Sequence, residues 1–148
     1  MGDQYEYLSS LVDKYNLQEK VFLVGRKNKN EIVDILANSD AFVLSSHVET
    51  FSVVCIEALS IGVPVIATAC GGPEEFIQDT GGLLVKPGNP DELSSAMLEM
   101  YQNYKDYDRL SISEDCKRRF SPSVIAKQLT EIFEDVVDSR RKTNWNEK

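Results

Sequence analysis

The stretch SSHVETFSVVCIEALSIGVPVIAT, residues 45–68, decides the fold of this 148-residue chain. It runs from a polar loop through a helix-like pattern and a Gly-Val-Pro turn into a continuously apolar segment. Two carboxylates stand out in it, because Glu49 lies in the polar loop and Glu57 lies among apolar residues. A charge on an apolar segment is costly unless a partner offsets it. One interpretation is that both glutamates contact a ligand. The other is that Glu49 interacts favourably with the dipole of the following helix and Glu57 faces solvent. Spacing alone leaves both interpretations open.

Four short apolar runs around this stretch predict a parallel sheet. The runs are residues 21–25, 41–46, 63–68 and 82–85. They are nearly continuous rather than alternating, which is typical of strands covered on both faces. Helical patterns alternate with the runs, at residues 4–16, 30–40, 51–62 and 73–79. The alternation indicates an α/β fold, a Rossmann-like parallel sheet of about four strands with helices on both faces.

Two more helices are predicted after the last strand. The first covers residues 89–104, with Asn89 as its N-cap, Pro90 in the first turn and Glu92 in the position of a capping-box glutamate. The second covers residues 121–137 and carries a regular apolar stripe. The charged residues after it, 140–148, are expected to fray as a tail.

Composition and charge exclude several classes of protein. The 16 basic and 24 acidic residues give a net charge of −8, which argues against a nucleic-acid partner. The three cysteines show neither metal-ligand nor CxxC spacing, so reduced thiols are expected. The chain opens without a basic and apolar leader, and it holds no run of the roughly 18 apolar residues that a membrane span requires. We therefore expect a cytoplasmic protein.

Polar and glycine-rich loops follow three of the predicted strands. They are residues 25–30, 45–52 and 69–75. Ligands of open parallel sheets bind beyond the carboxyl ends of the strands, where these loops would meet. The helix after the second of them would direct the free amides of residues 51–54 outward, which suits a phosphate or diphosphate. Gly71 and Gly72 would let the neighbouring backbone approach the ligand closely.

The combined pattern of residues 20–100 resembles the nucleotide-sugar-binding domain of family 4 glycosyltransferases, the retaining enzymes of the GT-B fold. The residues that carry the resemblance are Asp40, Ser46, Glu49, Phe51, Glu57, Ala58, Gly62, Pro64, Val65, Gly71, Gly72, Glu75, Gly82 and Pro87. It implies that residues 1–148 are the C-terminal, donor-binding domain. The first strand or strands and the N-terminal acceptor domain would be missing from it.

The resemblance also implies an activity. The full-length protein would transfer a hexose, with retention, from a nucleoside-diphosphate sugar to a glycan or lipid-linked acceptor held by the N-terminal domain. We expect a role in bacterial surface polysaccharide synthesis and an inactive isolated fragment. Peripheral contact with the inner face of a membrane would arise in the full-length protein alone. The resemblance implies catalysis without a metal or another cofactor.

The resemblance assigns roles residue by residue. Glu57 would bind the ribose hydroxyls, and Glu49 would act catalytically beside the donor sugar. Arg26 would border the base. The remaining donor contacts would come from Thr50, Phe51, Ser52, Val53, Gly71 and Gly72. Thr50 and Ser52 stand where the family commonly has glycine, which would narrow the donor-sugar space or forbid a positive φ.

Other interpretations remain open at this point. One is different GT-B chemistry, such as sugar-nucleotide epimerisation. Another is a non-catalytic receiver-like module, which needs acidic residues at the carboxyl ends of strands to hold Mg²⁺, whereas Asp40 lies at the start of its strand. His47, the single histidine, is either an exposed loop residue or a donor contact.

Overall fold

The sheet consists of three parallel strands in the order β1-β2-β3, within the residues that the computed structural model describes, 3–77 and 81–143. The strands are β1 (Phe42–Leu44), β2 (Val65–Thr68) and β3 (Gly82–Val85). The helices are α1 (Tyr5–Lys14), α2 (Lys29–Ala37), α3 (Val53–Ser60), α4 (Pro90–Asn103), α5 (Arg109–Phe120) and α6 (Pro122–Thr143). Short 3₁₀ turns lie at Gly72–Glu75 and Tyr104–Asp106.

The central strand β2 organises the core. All four of its residues are buried, and because successive side chains of a strand point to opposite faces, both faces of the sheet are covered. Ile66 packs with Val85, Ala96 and Met100 in a cluster that joins the sheet to α4. Helix α3 contacts β1 and β2, and α5 packs on α3. The predicted α/β class with helices on both faces is therefore confirmed.

The first predicted strand, residues 21–25, is wrong. The chain there has no strand assignment, and Phe22 and Val24 are 70% and 58% exposed. A continuously apolar run forms a buried strand only when a neighbouring strand pairs with its backbone and other elements cover its two faces. The other three predicted strands are confirmed over shorter ranges, so the described sheet has three strands rather than four. The chain divides into two compact units, residues 1–35 and 36–148, and the sheet belongs to the second.

The helix predicted at residues 73–79 is also wrong over its described part. Residues Gly72–Glu75 form a 3₁₀ turn with Pro73 near its start, and residues 78–80 lie outside the described part of the chain. The carbonyls of Glu75 and Phe76 accept hydrogen bonds from the side chain of Arg119. These carbonyls are thus bonded to a distant arginine.

Helix α5 was not predicted from the sequence. The helix carries few apolar residues, but Ile112, Ser113 and Cys116 are buried, and the Ser113 hydroxyl donates to the Ser60 carbonyl oxygen at 2.6 Å. The sequence indicates this helix only weakly, through a possible N-cap at Asp108 and the apolar residues Ile112 and Cys116, which are four positions apart. The Asp108 carboxylate accepts from the amides of Leu110 and Ser111 at 3.0 and 3.2 Å.

The cap predicted for α4 is confirmed. The Asn89 side-chain oxygen accepts from the Glu92 amide at 3.1 Å. In return the Glu92 carboxylate accepts from the Asn89 side-chain nitrogen at 2.9 Å and from the Lys86 amide at 3.2 Å. The glutamate thus ties the turn after β3 to the start of the helix.

Helix α6 is long and largely exposed. Its predicted apolar stripe is exposed at every position, namely Ile125, Leu129, Ile132, Phe133 and Val136. The helix continues to Thr143, and the rest of the predicted tail, residues 144–148, lies outside the described part of the chain. None of the described helices has both the length and the hydropathy of a membrane span.

Replacing Asp108 with alanine tests whether α5 depends on its cap. We expect Asp108→Ala to lower the free energy of unfolding by about 1 kcal/mol, the usual cost of losing such a cap. Asp108→Asn keeps an acceptor oxygen in the same place and should cost much less. Urea denaturation of the three proteins measures the difference, and equal losses in both variants would contradict a stabilising role for the hydrogen bonds that the side-chain oxygen accepts.

Candidate functional site

Two loops meet at the carboxyl ends of β1 and β2. The first loop, residues 45–52, follows β1, and the second loop, residues 69–77, follows β2 and contains the Gly72–Glu75 turn. The Glu49 amide donates to the Cys70 carbonyl oxygen at 3.3 Å, and the Gly72 amide donates to the Glu49 carbonyl oxygen at 3.1 Å. The Thr68 hydroxyl adds a bond to the Ser46 carbonyl oxygen at 2.5 Å. The structure therefore brings two of the three predicted loops together.

The third predicted loop, residues 25–30, belongs to the first unit of the chain. Arg26 is exposed in this loop. The loop leads into α2 through a reciprocal cap, in which the Asn28 side-chain oxygen accepts from the Glu31 amide at 3.1 Å and the Asn28 amide donates to the Glu31 carboxylate at 2.9 Å. The hydrogen bond from the Asn28 amide lowers the pKa of Glu31. The assignment of Arg26 to the base stays a prediction.

Gly71 and Gly72 allow the two loops to lie this close. A Cβ on Gly72 would come 2.6 Å from the Cα of Phe51, and one on Gly71 would come 2.6 Å from the Glu49 carbonyl oxygen. Gly71 also has a φ of 121°, which side chains rarely permit. The glycines thus make room for the neighbouring loop, and their contact with a ligand stays a prediction.

Glu49 is held in place within the first loop. The Ser46 hydroxyl donates to one oxygen of its carboxylate at 2.8 Å, and both residues are half-buried. A carboxylate has about four acceptor positions, so this bond leaves most of them for other donors. Glu49 is therefore an oriented acceptor at the edge of the sheet.

The start of α3 presents the backbone amides of its first turn. Ser52 is the residue before the helix, and it has φ 52° and ψ 67°, so the substitution of glycine by serine does not forbid a positive φ here. Its buried hydroxyl donates to the Cys55 sulfur at 3.4 Å and does not cap the helix. The first-turn amides of Val53 and Val54 have no partner inside the helix, and neither donates a hydrogen bond to another described residue, so both can bind an anion.

Cys55 lies beneath this helix start. Burial raises the pKa of the Cys55 thiol, and the hydrogen bond from Ser52 opposes that effect more weakly. A neutral, fully buried thiol behaves as a small apolar residue. Cys55, Cys70 and Cys116 all have free thiols.

Glu57 lies one turn inside α3 and is half-buried. Among the described residues its carboxylate has no hydrogen-bond partner, and the nearby Ser60 hydroxyl donates to the Glu57 main-chain oxygen instead, at 2.8 Å. Side chains of a helix lean toward its N-terminus, which directs the Glu57 carboxylate toward the Val53 end. Glu57 is thus an available acceptor on the same helix as the free amides.

The side chains on either side of Glu49 differ in environment. Thr50 is exposed, while the ring of Phe51 packs edge-to-face against Phe76, with 5.8 Å between ring centroids. His47 is exposed, and its ring lies beside Gly88 in the turn after β3. Both interpretations of His47 remain compatible with this position.

Sequence reasoning missed a residue that contacts the second loop. Arg119, near the end of α5, donates to the Glu75 carbonyl oxygen at 2.6 Å and to the Phe76 carbonyl oxygen at 3.1 Å. It was missed because α5 itself was missed, and nothing in the run CKRRF distinguishes this arginine from its neighbours. In the described residues no group of three His, Cys, Asp or Glu side chains is arranged to hold a metal ion.

Comparisons relate the chain to known proteins. A sequence model of the family described as "Glycosyl transferases group 1" matches residues 1–114. An uncharacterized glycosyltransferase of Methanocaldococcus jannaschii is 30% identical over 141 residues, which are 93% of this chain and 39% of that protein. The chain therefore spans about two fifths of the length of this relative.

Solved structures confirm the fold. Sucrose-phosphate synthase from Thermosynechococcus elongatus matches with a TM-score of 0.79 and 28% identity, over 93% of this chain and 35% of that chain. The Anabaena protein HepE in complex with UDP-glucose matches with a TM-score of 0.76 and 24% identity, over 91% of this chain and 38% of that one. The predicted likeness to one half of a GT-B fold is therefore confirmed.

Gly72→Ala tests the close approach of the two loops. Because the new Cβ would collide with the Phe51 backbone, we expect a loss of about 2 kcal/mol or more in the free energy of unfolding. Gly88→Ala is the control, because Gly88 has a φ of 70° but its new Cβ would meet no atom closer than 3.7 Å. Backbone strain alone should make that change cost about 1 kcal/mol. Urea denaturation measures both, and a Gly72→Ala protein as stable as the control would contradict the close packing.

Proposed function

This chain belongs to the group 1 glycosyl transferase family, and we propose that it supplies the donor-binding part of a retaining glycosyltransferase. The donor would be a nucleoside-diphosphate sugar. The observation that carries the proposal is the order of groups along the first loop and α3. An oriented carboxylate at Glu49, the first-turn amides of Val53 and Val54, and the Glu57 carboxylate follow one another, and the amides and the Glu57 carboxylate have no hydrogen-bond partner in the described part of the chain.

The spacing of these groups suits one extended ligand. Val53 and Glu57 are four residues apart, so they lie on one face of the helix and about 6 Å apart along its axis. A diphosphate on the helix amides would place a ribose at Glu57, whose carboxylate accepts hydrogen bonds from two vicinal hydroxyls. On the other side of the diphosphate, the sugar would lie at Glu49.

Each group then has a chemical task. The amides and the helix dipole would stabilise the negative charge that develops on the diphosphate as it leaves. Glu49, held by Ser46, would accept hydrogen bonds from the sugar beside the reacting carbon. The backbone of Thr50 to Val53 and of Gly71 and Gly72 would complete the donor site. Thr50 is exposed, and it stands at a position where the family commonly has glycine. Its side chain would therefore restrict the space for the donor sugar.

Two further parts of the proposal concern the acceptor and the pathway. The chain spans 39% of its M. jannaschii relative and 35% of the sucrose-phosphate synthase chain, which supports an acceptor site in another part of the protein. We propose that transfer serves bacterial surface polysaccharide synthesis on the cytoplasmic side of the membrane. The isolated chain should bind donor and transfer nothing. Release of product without any acceptor by the full-length protein would instead favour an epimerase.

Two alanine variants test the division of roles between the glutamates. The HepE complex makes UDP and UDP-glucose reasonable probes for calorimetry. We expect Glu57→Ala to weaken UDP binding about tenfold, the effect of losing hydrogen bonds to a charged group. Glu49→Ala should leave UDP affinity nearly unchanged and weaken UDP-glucose, because its contact is with the sugar.

Glu114→Ala provides the control, because Glu114 is an exposed glutamate on α5 and belongs to neither loop. It should bind both probes like the unmodified chain. Equal losses of UDP affinity in the Glu49 and Glu57 variants would contradict the assigned roles. Failure of the unmodified chain to bind any of a panel of UDP, GDP and ADP sugars would count against donor binding by this chain.

A further inference from the structure

We propose that Arg119 and Phe120 of α5 are positioning residues, which hold the first and second loops in the arrangement that binds the donor. Neither residue would touch the ligand. The proposal rests on the proposed function for the identity of the ligand, but the loop arrangement that it concerns can be measured without any ligand.

Arg119 fixes the second loop through its backbone. Its guanidinium donates to the carbonyl oxygens of two consecutive residues, Glu75 at 2.6 Å and Phe76 at 3.1 Å. The planar fork of an arginine suits two such acceptors, whereas the point charge of a lysine does not. Asp115, one turn earlier on α5, orients the guanidinium at 3.4 Å. Arg119 thus joins α5 to the turn that begins at Gly72.

Phe120 connects the same helix to the first loop. Its ring packs edge-to-face against Phe51 and Phe76, with centroid distances of 6.4 and 6.2 Å. Phe51 and Phe76 also contact each other, so one aromatic cluster reaches both loops. The Arg119 guanidinium carbon lies 4.8 Å from the centroid of the Phe120 ring, which couples the two side chains.

The position of Phe51 makes this cluster relevant to the donor site. Phe51 lies two residues after Glu49 and directly before Ser52, whose left-handed conformation opens α3. Gly72, at the other side of the contact, donates its amide to the Glu49 carbonyl oxygen. Because a ligand that must first order its site binds more weakly, a looser contact between the loops should lower donor affinity.

The neighbouring Arg118 offers a matched control. It lies on the same helix and also pairs with Asp115, but its side chain is 77% exposed, and its described polar contact is with that carboxylate. Arg118→Ala therefore removes one positive charge and one Asp115 partner without removing a bond to either loop. Any effect of Arg119→Ala beyond that of Arg118→Ala reports on the bonds to Glu75 and Phe76.

The test compares Arg119→Ala, Arg119→Lys and Arg118→Ala with the unmodified chain. We expect Arg119→Ala to weaken UDP binding about tenfold and Arg119→Lys to restore part of that loss, at a temperature where urea curves show each protein folded. Amide hydrogen exchange at Gly72 and Phe76 should accelerate in Arg119→Ala, while exchange in β2 stays as before. Arg118→Ala should match the unmodified chain in both measurements.

Several results would overturn the proposal. One is exchange at Gly72 in Arg119→Ala that equals exchange in Arg118→Ala, whatever happens to affinity. Another is full UDP affinity in a variant whose loops exchange faster. If Arg119→Ala does not fold, Phe120→Leu replaces it, because it keeps an apolar side chain and removes the edge-to-face contacts. If the unmodified chain binds no nucleotide, the proposed function fails, and the exchange rates alone decide whether Arg119 orders the loops.

Discussion

The backbone contact between Glu49 and the Cys70–Gly72 segment is the constraint on which the site depends. It continues the pairing of β1 with β2 beyond the strands, so the loop after one strand is held against the loop after the next. The contact requires a glycine at position 72, because a side chain there would collide with the backbone of Phe51. It fixes the backbone of Glu49 relative to the loop after β2, and Glu49 lies four residues before the start of α3, so the groups proposed for the donor site in these two loops and α3 depend on it.

The sequence predicted the part of the fold in which local pattern and burial agree. The predicted runs 41–46, 63–68 and 82–85 contain the strands β1, β2 and β3, because their backbones have ladder partners and the central strand is buried on both faces. Residues 21–25 have the same apolar character without that pairing in the described structure, and the pattern could not distinguish the two cases. The α4 cap was predictable for a different reason, since Asn89 and Glu92 act within a few residues of each other.

The parts of the candidate site that follow from local pattern and topology were also predictable. Adjacent loops at the ends of parallel strands follow from topology, and the free amides follow from the start of a helix. The conformation of Ser52 did not follow, because a serine with a positive φ is uncommon and its buried hydroxyl contacts Cys55. Arg119 was beyond prediction, because its partners are backbone carbonyls more than forty positions earlier, and no side-chain pattern marks them.

That separation along the chain has a consequence for the order of folding. The bonds of Arg119 close loops of 43 and 44 residues, whereas the pairing of neighbouring strands joins segments about half as far apart. A contact between residues twice as far apart along the chain carries about 0.6 kcal/mol more loop-closure entropy. During synthesis a chain that ends before α5 already contains both glutamates and both glycines but lacks the helix that fastens the loops. Completion of the proposed site is therefore tied to translation of residues 109–120, well after the two glutamates and the two glycines have been synthesised.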